Sequence, residues 1–559
     1  MLATRGADAS DPGLIAAWQD KVQRVRALLD WPQGPLCTRA HHDGMTLAFG
    51  APIDQLFSAT EVNEWAWQAA RGVAELHAPG HALAVDADSA LHTLRLHAAA
   101  ERRADLVALL DEAARRKIPV VHDDDILSLG SGKGGRSWPL SALPDPAEVP
   151  WSELHGVPTV LVTGSNGKTT TVRLLAAMLR AHGLRTACSS TDGVFFEDRP
   201  LQTGDYSGPA GARTVLRHPE VEAAVLETAR GGLLRRGLAV NHADAAIVTN
   251  ISADHFGEYG IDDLDGLTAT KLIVARALDA DGVLVLNADD AQLRRQAPAT
   301  SRLAWFALDD EHAWLREHRA QGGSTCGVRD GRLWLSHAMQ RSDLGAIADM
   351  PLSASGLATY NIANLAGAAL LADALGIDAR TIADVLARFG RQRSDNPGRL
   401  QAWTFGGIRV LLDYAHNPAG LQGLLSIARG MNPRGRLGLI LGQAGNRGDA
   451  AVRELAATAA RFAPGLVVLK DMEGYLRGRA EGEVARVLRE ELIARGLAPD
   501  ILPIEQRELD AARRAVAWAR PGDMIVLPVH ALKAKTEVGA LLDRLQQSGW
   551  AAGGSLPDY

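Results

Sequence analysis

A glycine-rich segment at residues 163–171, TGSNGKTTT, has the residue types that bind a phosphate chain. It follows a short apolar stretch predicted as a strand and precedes a predicted helix at 170–182. Glycine lets the backbone turn its N–H groups toward phosphate oxygens, and the helix N-terminus adds positive potential. We therefore predict nucleotide binding by Gly164, Ser165, Asn166, Gly167, Lys168, Thr169 and Thr170.

Two residues of this segment have distinct expected roles. Lys168 would reach the β- and γ-phosphates, and Thr169 would bind magnesium through its hydroxyl. Val162 stands where the general phosphate-loop pattern has glycine, so a shorter form of the loop is predicted. A second glycine string, GSGKGG at 130–135, is followed by Arg136 and by Pro139, which cannot open a long helix, and we do not assign it a nucleotide.

The alternation of predicted strands and helices indicates which elements would position the loop. Predicted strands at 159–162, 223–226, 245–249 and 282–286 are separated by helical stretches, which indicates a doubly wound, mainly parallel sheet. After a break at 391–398 the alternation restarts, with predicted strands at 410–412, 437–441, 466–469 and 524–527.

The first 150 residues mix helices, predicted at 20–29 and 89–116, with strand-like patterns, and a proline-rich linker follows at 139–150. We therefore predict an α/β protein of three domains: an N-terminal α+β domain (1–150), a central domain carrying the phosphate loop (151–395) and a C-terminal Rossmann-like α/β domain (396–559).

From residue 159 onward the motifs resemble those of Mur ligases. The strings STDG at 190–193, GDYSGP at 204–209 and LETARGGLLR at 226–235, with RGR at 477–479 and GE at 482–483, resemble the cyanophycin synthetase branch of that family. Proteins of this branch also carry an ATP-grasp domain, and the sequence has no block of that size between 118–133, which resembles the junction, and the phosphate loop. The resemblance implies one type of ligation, with an N-terminal domain that positions the acceptor.

In this family ATP phosphorylates a carboxylate to an acyl phosphate, which an amine then attacks, and ADP and phosphate leave. The resemblance implies a catalytic set of Lys168, Glu227, His255, Lys271 and Arg399. Thr169, Glu227 and His255 would hold Mg²⁺, for which oxygen ligands are suited. Lys271 resembles the lysine that Mur ligases commonly carbamylate, and the sequence leaves open whether this occurs here.

The remaining implied site residues bind nucleotide or substrate. Asn361 and Asn364 resemble a pair that faces adenine, although Tyr360 stands where many relatives have histidine, and Asp413 resembles the ribose-binding aspartate. Arg399 resembles the arginine that reaches the γ-phosphate. The incoming amine would meet His416, Arg447, Asp449, Arg479 and Glu483. Asn446 departs from an expected aspartate and leaves the added amino acid open, and Arg479 with Glu483 could equally form a helix-surface ion pair.

Composition excludes several other classes. A net charge of -7 without a long basic run disfavours a nucleic-acid partner, and no apolar stretch predicts a membrane span. Three dispersed cysteines and an N-terminus without a signal peptide indicate the cytoplasm. The expected substrates are ATP, an acidic acceptor and an amino acid. Two alternatives remain: a catalytically silent nucleotide-binding subunit that partners a separate ATP-grasp ligase, and a folate-type polyglutamylating ligase. Homo-oligomerisation is left open.

Overall fold

The computed structural model describes residues 2–557 apart from 7–9, 42–43, 73–86, 254–255, 300, 338–339 and 473. It divides into two compact units. One consists of Met1–Gly156 with His255–Gly266, and the other of Val157–Asp254 with Leu267–Tyr559. Within the described part of the chain, no helix is long and apolar enough to cross a membrane.

The first unit contains two small antiparallel sheets, of strand order β1-β3-β2 and β4-β5-β6, with helices beside them. Trp18 and Val22 of the first helix are fully buried with Leu47 of β3 in one apolar cluster. The elements are β1 (Leu2–Arg5), α1 (Pro12–Leu28), β2 (Leu36–His41), β3 (Gly44–Phe49), α2 (Leu56–Ala70), α3 (Ala87–Glu101), α4 (Ala104–Arg115), β4 (Val120–His122), β5 (Ile126–Leu129) and β6 (Arg136–Pro139).

The single helix predicted at 89–116 is wrong, because the chain forms two helices there, α3 and α4. Arg103 leaves the helical conformation, with φ -126° and ψ 79°. Its backbone N–H donates to Oδ2 of Asp54 at 2.8 Å, and its guanidinium donates to the carbonyl of Leu140 at 2.5 Å. These distant partners hold Arg103 outside both helices. The GSGKGG string forms a short 3₁₀ turn followed by β6, so no long helix opens there, as predicted.

An eleven-stranded sheet occupies the first part of the second unit. Its order is β10-β9-β8-β11-β7-β12-β13-β14-β15-β16-β17, parallel from β8 to β15 and antiparallel at both edges. Its strands are β7 (Thr159–Thr163), β8 (Thr186–Ser190), β9 (Gly193–Phe196), β10 (Arg199–Thr203), β11 (Ala223–Glu227), β12 (Ala243–Val248), β13 (Leu278–Asn287), β14 (Arg302–Ala307), β15 (Ser324–Arg329), β16 (Arg332–His337) and β17 (Gln340–Ala346).

Among the described residues, eight α-helices lie between these strands and after them, and two of them, Lys168–Ala181 and Thr359–Ala374, pack against the sheet in a shared apolar core. They are α5 (Lys168–Ala181), α6 (Pro209–Leu216), α7 (Arg230–Arg236), α8 (Leu264–Leu272), α9 (Ala291–Gln296), α10 (Ala313–Ala320), α11 (Thr359–Ala374) and α12 (Ala379–Leu386). Val162 of β7 and Leu365 of α11 are both fully buried in that core.

A second sheet of six strands follows, with order β18-β19-β23-β20-β21-β22 and only β18 antiparallel. Neighbouring residues Leu411 and Leu412 of β19 belong to opposite apolar clusters, so helices cover both faces of this sheet. The elements are β18 (Gln401–Phe405), β19 (Ile408–Asp413), α13 (Pro418–Met431), β20 (Leu437–Leu441), α14 (Asp449–Ala460), β21 (Leu466–Lys470), α15 (Glu483–Ala494), β22 (Ile504–Glu505), α16 (Glu508–Trp518), β23 (Met524–Pro528) and α17 (Leu532–Gln547). The predicted α/β fold with mainly parallel sheets is confirmed.

Candidate active site

The predicted phosphate loop lies at the carboxyl end of β7, a central strand of the large sheet, and runs directly into α5. Gly164 has φ +146° and Gly167 has φ +85°, conformations that favour glycine. A Cβ at Gly164 would stand 1.9 Å from Oγ1 of Thr249, and one at Gly167 would stand 2.2 Å from Oδ1 of Asn364. Both glycines are therefore required by close packing as well as by backbone conformation.

Residues that follow β12 fix the middle of the loop. The amide side chain of Asn250 accepts from the backbone N–H of Asn166 and donates to its carbonyl, both at 3.0 Å. Thr249 donates from Oγ1 to the same carbonyl at 2.6 Å. From this stretch the sequence predicted only His255 as a site residue, and His255 lies outside the described residues. Thr249 and Asn250 were missed, although their position after a central parallel strand could have indicated them.

Two lysines converge on the loop backbone. The Lys168 ammonium donates to the carbonyls of Gly164 and Ser165, each at 3.1 Å. The buried ammonium of Lys271 donates to the same Gly164 carbonyl at 2.8 Å. The structure thus brings both predicted lysines to the phosphate loop. Carbamylation of Lys271, which the sequence left open, stays untested.

Glu227 ends β11, next to the phosphate-loop strand, and its carboxylate is buried. Its Oε2 accepts from the hydroxyl of Thr169 at 2.8 Å and from the backbone N–H of Thr191 at 3.4 Å. No described residue bonds Oε1. Burial raises the pKa of Glu227, and the positive charges of Lys168 and Arg399 oppose that rise. A buried carboxylate oxygen that has no partner among the described residues and lies beside a threonine hydroxyl fits a hard cation such as Mg²⁺.

Arg399, from the segment before β18, contacts the same two threonines as Glu227. Its guanidinium donates to the hydroxyls of Thr169 at 3.2 Å and Thr191 at 3.4 Å. It also lies 4.3 Å from the ring centroid of Tyr414, a cation–π contact. The structure therefore joins three predicted residues, Thr169, Glu227 and Arg399, into one hydrogen-bonded group.

Asp192 stands beside this group and was not among the predicted site residues. Its carboxylate forms ion pairs with the ammonium of Lys535 at 2.7 Å and with the guanidinium of Arg173 at 3.4 Å. Burial would raise the pKa of Asp192, but Arg399, Lys535 and Arg173 outweigh it and hold the pKa at about 2. The STDG string contained Asp192, but no local pattern could indicate partners so far along the chain.

Of the side chains predicted to contact adenine and ribose, Asn361 and Asn364 are buried and Asp413 is half-buried. Asn364 packs against Gly167 and donates to Oδ1 of Asn361 at 3.2 Å, and Asn361 donates to the Leu352 carbonyl at 3.0 Å. Asp413 ends β19, and its Oδ2 accepts from the backbone N–H of Leu400 at 2.7 Å. Burial raises the pKa of Asp413, with Arg399 acting against it. Contacts of these residues with adenine and ribose stay predictions.

Four of the five predicted amine-site residues form one connected group around Arg479. This guanidinium donates to the carbonyls of Gly445 at 2.9 Å and Arg447 at 2.7 Å, and to the carboxylates of Asp449 at 2.7 Å and Glu483 at 3.1 Å. Arg479 precedes α15 and Glu483 is the first residue of α15, so their contact joins a loop to the start of the helix and is not an ion pair along a helix surface. The ring of the fifth, His416, lies 5.4 Å from that of Tyr414.

A buried charged network in the six-stranded sheet was also missed. The Lys470 ammonium pairs with Glu508 and donates to Nδ1 of His530 at 3.1 Å, and Nε2 of His530 donates to the Ala415 carbonyl at 3.1 Å. Burial, followed by the charge of Lys470, lowers the pKa of His530 to about 4, so its ring is neutral near pH 7. The network therefore supports the segment that begins with Asp413.

Two protein-family models match the sequence. Residues 162–372 match the Mur ligase middle domain, and residues 398–528 match the Mur ligase glutamate ligase domain. The two matches together cover more than half of the 559 residues, and the protein belongs to the Mur ligase family.

Within that family the chain is similar to cyanophycin synthetases. It is 35% identical to that of Nostoc sp. over 347 residues, 61% of this chain and 37% of that protein. It is 32% identical to that of Synechocystis sp. over 392 residues, 68% of this chain and 44% of that protein. The chain thus spans less than half the length of these two relatives.

Similarity extends to the UDP-N-acetylmuramoyl-L-alanyl-D-glutamate--2,6-diaminopimelate ligase of Xanthomonas campestris pv. campestris. The identity there is 28% over 416 residues, 72% of this chain and 79% of that protein. A solved structure of a murein peptide ligase from Psychrobacter arcticus matches with a TM-score of 0.47 and 16% identity, over 73% of this chain and 82% of that one. The family assignment rests on the sequence matches.

Proposed function

We propose that the protein is an ATP-dependent, ADP-forming ligase that joins a carboxylate to the amine of an amino acid. The γ-phosphoryl group of ATP would pass to the carboxylate, and the amine would then displace phosphate from the resulting acyl phosphate. The observation that carries this proposal is the contact of Thr169 with both Glu227 and Arg399 at the end of the phosphate loop. Membership of the Mur ligase family supports it.

Each residue of that group has a role that follows from its chemistry. The loop amides and Lys168 would hold the phosphate chain, and Arg399 would offset negative charge at the transferred group. Thr169 and Glu227, with His255 as predicted, would hold Mg²⁺, which neutralises phosphate charge when bound. The buried Oε1 of Glu227, which no described residue bonds, supports this assignment.

The substrate classes are part of the proposal. Similarity to cyanophycin synthetases suggests arginine or lysine as the added amino acid and an aspartate- or glutamate-containing acceptor. We assign the amine to the loops around Arg479, whose guanidinium connects residues 445–449 to the start of α15. A reaction that consumes ATP suits the cytoplasm, where we expect the protein to act.

Phosphate release tests the proposal directly. The protein is incubated with ATP and Mg²⁺ and screened across amino acids paired with acidic acceptors, and products are identified by mass. We expect release that requires one particular pair, and an amide product. Lys168→Ala should abolish release, because it removes charge at the transferred phosphoryl group.

A matched control is Lys133→Ala, which alters the lysine of the GSGKGG string and should leave the rate unchanged. Tight ATP binding without release for any pair would favour the alternative of a silent nucleotide-binding subunit. Unchanged release in Lys168→Ala would refute the mechanism.

A further inference from the structure

A buried ion pair joins the C-terminal part of the second unit to its phosphate-binding part. Lys535, in the first turn of α17, donates to Oδ1 of Asp192, in the turn after β8, at 2.7 Å. Both side chains are only 9% exposed. The proposed phosphoryl transfer assigns neither residue a role.

The surroundings of Lys535 connect it to Arg399. The ring of Tyr414 has Lys535 Nζ 5.2 Å from its centroid and the Arg399 guanidinium carbon 4.3 Å from it. The stem of Lys535 also packs on the backbone beside Arg399, because a Cβ at Gly398 would stand 2.7 Å from Lys535 Cδ. Any displacement of Lys535 would therefore be transmitted to the segment that carries Arg399.

Asp192 is the counter-charge that lets these cations share a buried space. Arg173, Arg399 and Lys535 all lower the pKa of its carboxyl, against the effect of burial. Removal of one member of a buried ion pair leaves the other charge without compensation. Without Asp192, Lys535 would lose its ion-pair partner and would repel Arg399, which lies against the same Tyr414 ring.

We propose that Lys535 is a positioning residue, whose ion pair with Asp192 holds Arg399 on Thr169 and Thr191 and so assembles the phosphoryl-transfer site. Its effect on catalysis rests on the proposed function, whereas the arrangement it stabilises can be measured without any reaction. Two features distinguish it from a general stabiliser. Its loss should lower kcat more than it raises KM for ATP, and it should alter the separation of the two sheets.

The experiment compares Lys535→Met, Lys535→Arg, Asp192→Asn and the double variant Asp192→Asn/Lys535→Met. Lys533→Met is the matched control, because Lys533 lies on the same turn with its side chain 80% exposed. One readout is kcat and KM for ATP in the ligase assay. The other is the distance between spin labels at Asp281→Cys and Asp500→Cys, both exposed positions, in a Cys37→Ser background.

We expect Lys535→Met to lower kcat at least tenfold, to change KM for ATP less than threefold and to broaden the label-to-label distance distribution. Lys535→Arg should retain kcat within threefold, and Lys533→Met should match the unaltered protein. Asp192→Asn should lower kcat more than any other variant. The double variant should recover part of that loss in kcat, because it also removes the ammonium that Asp192→Asn leaves uncompensated.

An unchanged distance distribution in both Lys535→Met and Asp192→Asn would overturn the proposal, and so would a double variant worse than Asp192→Asn alone. If the unaltered protein shows no ligase activity with any substrate pair, the proposed function fails. The distance measurements alone then test whether the ion pair between Lys535 and Asp192 holds the two sheets in this arrangement. If Lys535→Met does not fold, Lys535→Gln, which also removes the ammonium, is compared with Lys533→Met by the same distance measurement, and an unchanged distribution overturns the proposal.

Discussion

Replacing Lys470 with methionine removes the cation from the buried network of the six-stranded sheet. Lys470, Glu508 and His530 have fully buried side chains. The ammonium pairs with Glu508 and donates to Nδ1 of His530. Methionine approximates the length of the lysine stem without its charge, so the change tests the ion pair and not the packing volume.

The expected loss of stability depends on the hydrogen bonds that Glu508 retains in the variant. Its carboxylate still accepts from the backbone N–H groups of His530 at 3.0 Å and Ala531 at 2.8 Å. Breaking a buried pair costs about 3–5 kcal/mol because it leaves a buried charge without its partner. The two backbone donors offset part of that cost, so we expect a loss of about 3 kcal/mol in the free energy of unfolding, at the lower end of the same range.

The double variant Lys470→Met/Glu508→Gln should lose less than the sum of the two single changes, because no uncompensated charge remains. Hydrogen exchange read by mass spectrometry is the suitable assay, since peptides from β21 and β23 report on this sheet separately from the rest of the chain. Peptides of β1 and β3 in the first unit serve as the internal control. A loss below about 1 kcal/mol, or strict additivity of the two changes, would refute the reasoning.

Three further outcomes are expected. Gly164→Ala should abolish ATP binding measured by calorimetry, because its Cβ would collide with Thr249, whereas Gly448→Ala, with nothing within 4 Å of the added Cβ, should bind normally. The pKa of Asp192, held at about 2 against an ordinary 3.8, gives about 2 kcal/mol of stability that is complete above pH 4 and is lost as the pH falls toward 2. Asp192→Asn should therefore flatten the acid limb of the stability–pH curve. Arg479→Lys should raise KM for the amino acid at least tenfold with less effect on KM for ATP, since one ammonium cannot replace its four hydrogen bonds.

Apolar runs made most of the central strands predictable. Predicted strands at 437–441 and 466–469 correspond to β20 (Leu437–Leu441) and β21 (Leu466–Lys470), whose residues are all buried. A strand buried on both faces is a continuous apolar run in the sequence, and this pattern is strong over a few residues. The phosphate loop was predictable for the same local reason, since its glycines, lysine and threonines are consecutive.

The edge strands could not be predicted in this way. Every residue of β10 is exposed, and β17 has a single buried residue, Leu344. Such strands form because a neighbouring strand provides hydrogen-bonding partners, and composition alone does not indicate them. The helix break at Arg103 has a similar origin, because its partners Asp54 and Leu140 are remote in sequence.

Ion pairs between residues far apart in the chain were the other feature that could not be predicted from the sequence. Lys535 and Asp192 are 343 residues apart, and each is an ordinary charged residue in its own segment. Only the packing of α17 near the end of β8 brings them together. The family resemblance indicated Arg399, which ends the string PGR at 397–399, whereas Lys535 has no comparable local motif.

The charges gathered around the phosphate loop favour a polyanionic ligand. Among the described residues, four cations gather there, Lys168, Arg173, Arg399 and Lys535, against three carboxylates that interact with them, Glu227, Asp192 and Asp413. Protein interiors rarely keep unbalanced charge, because burying it costs free energy unless a partner compensates it. Triphosphate supplies several negative charges, whereas a neutral ligand would leave the positive excess as it is and a cationic ligand would increase it. The cations beside the loop therefore support, on physical grounds separate from the family resemblance, the proposed binding of a nucleotide through its phosphates.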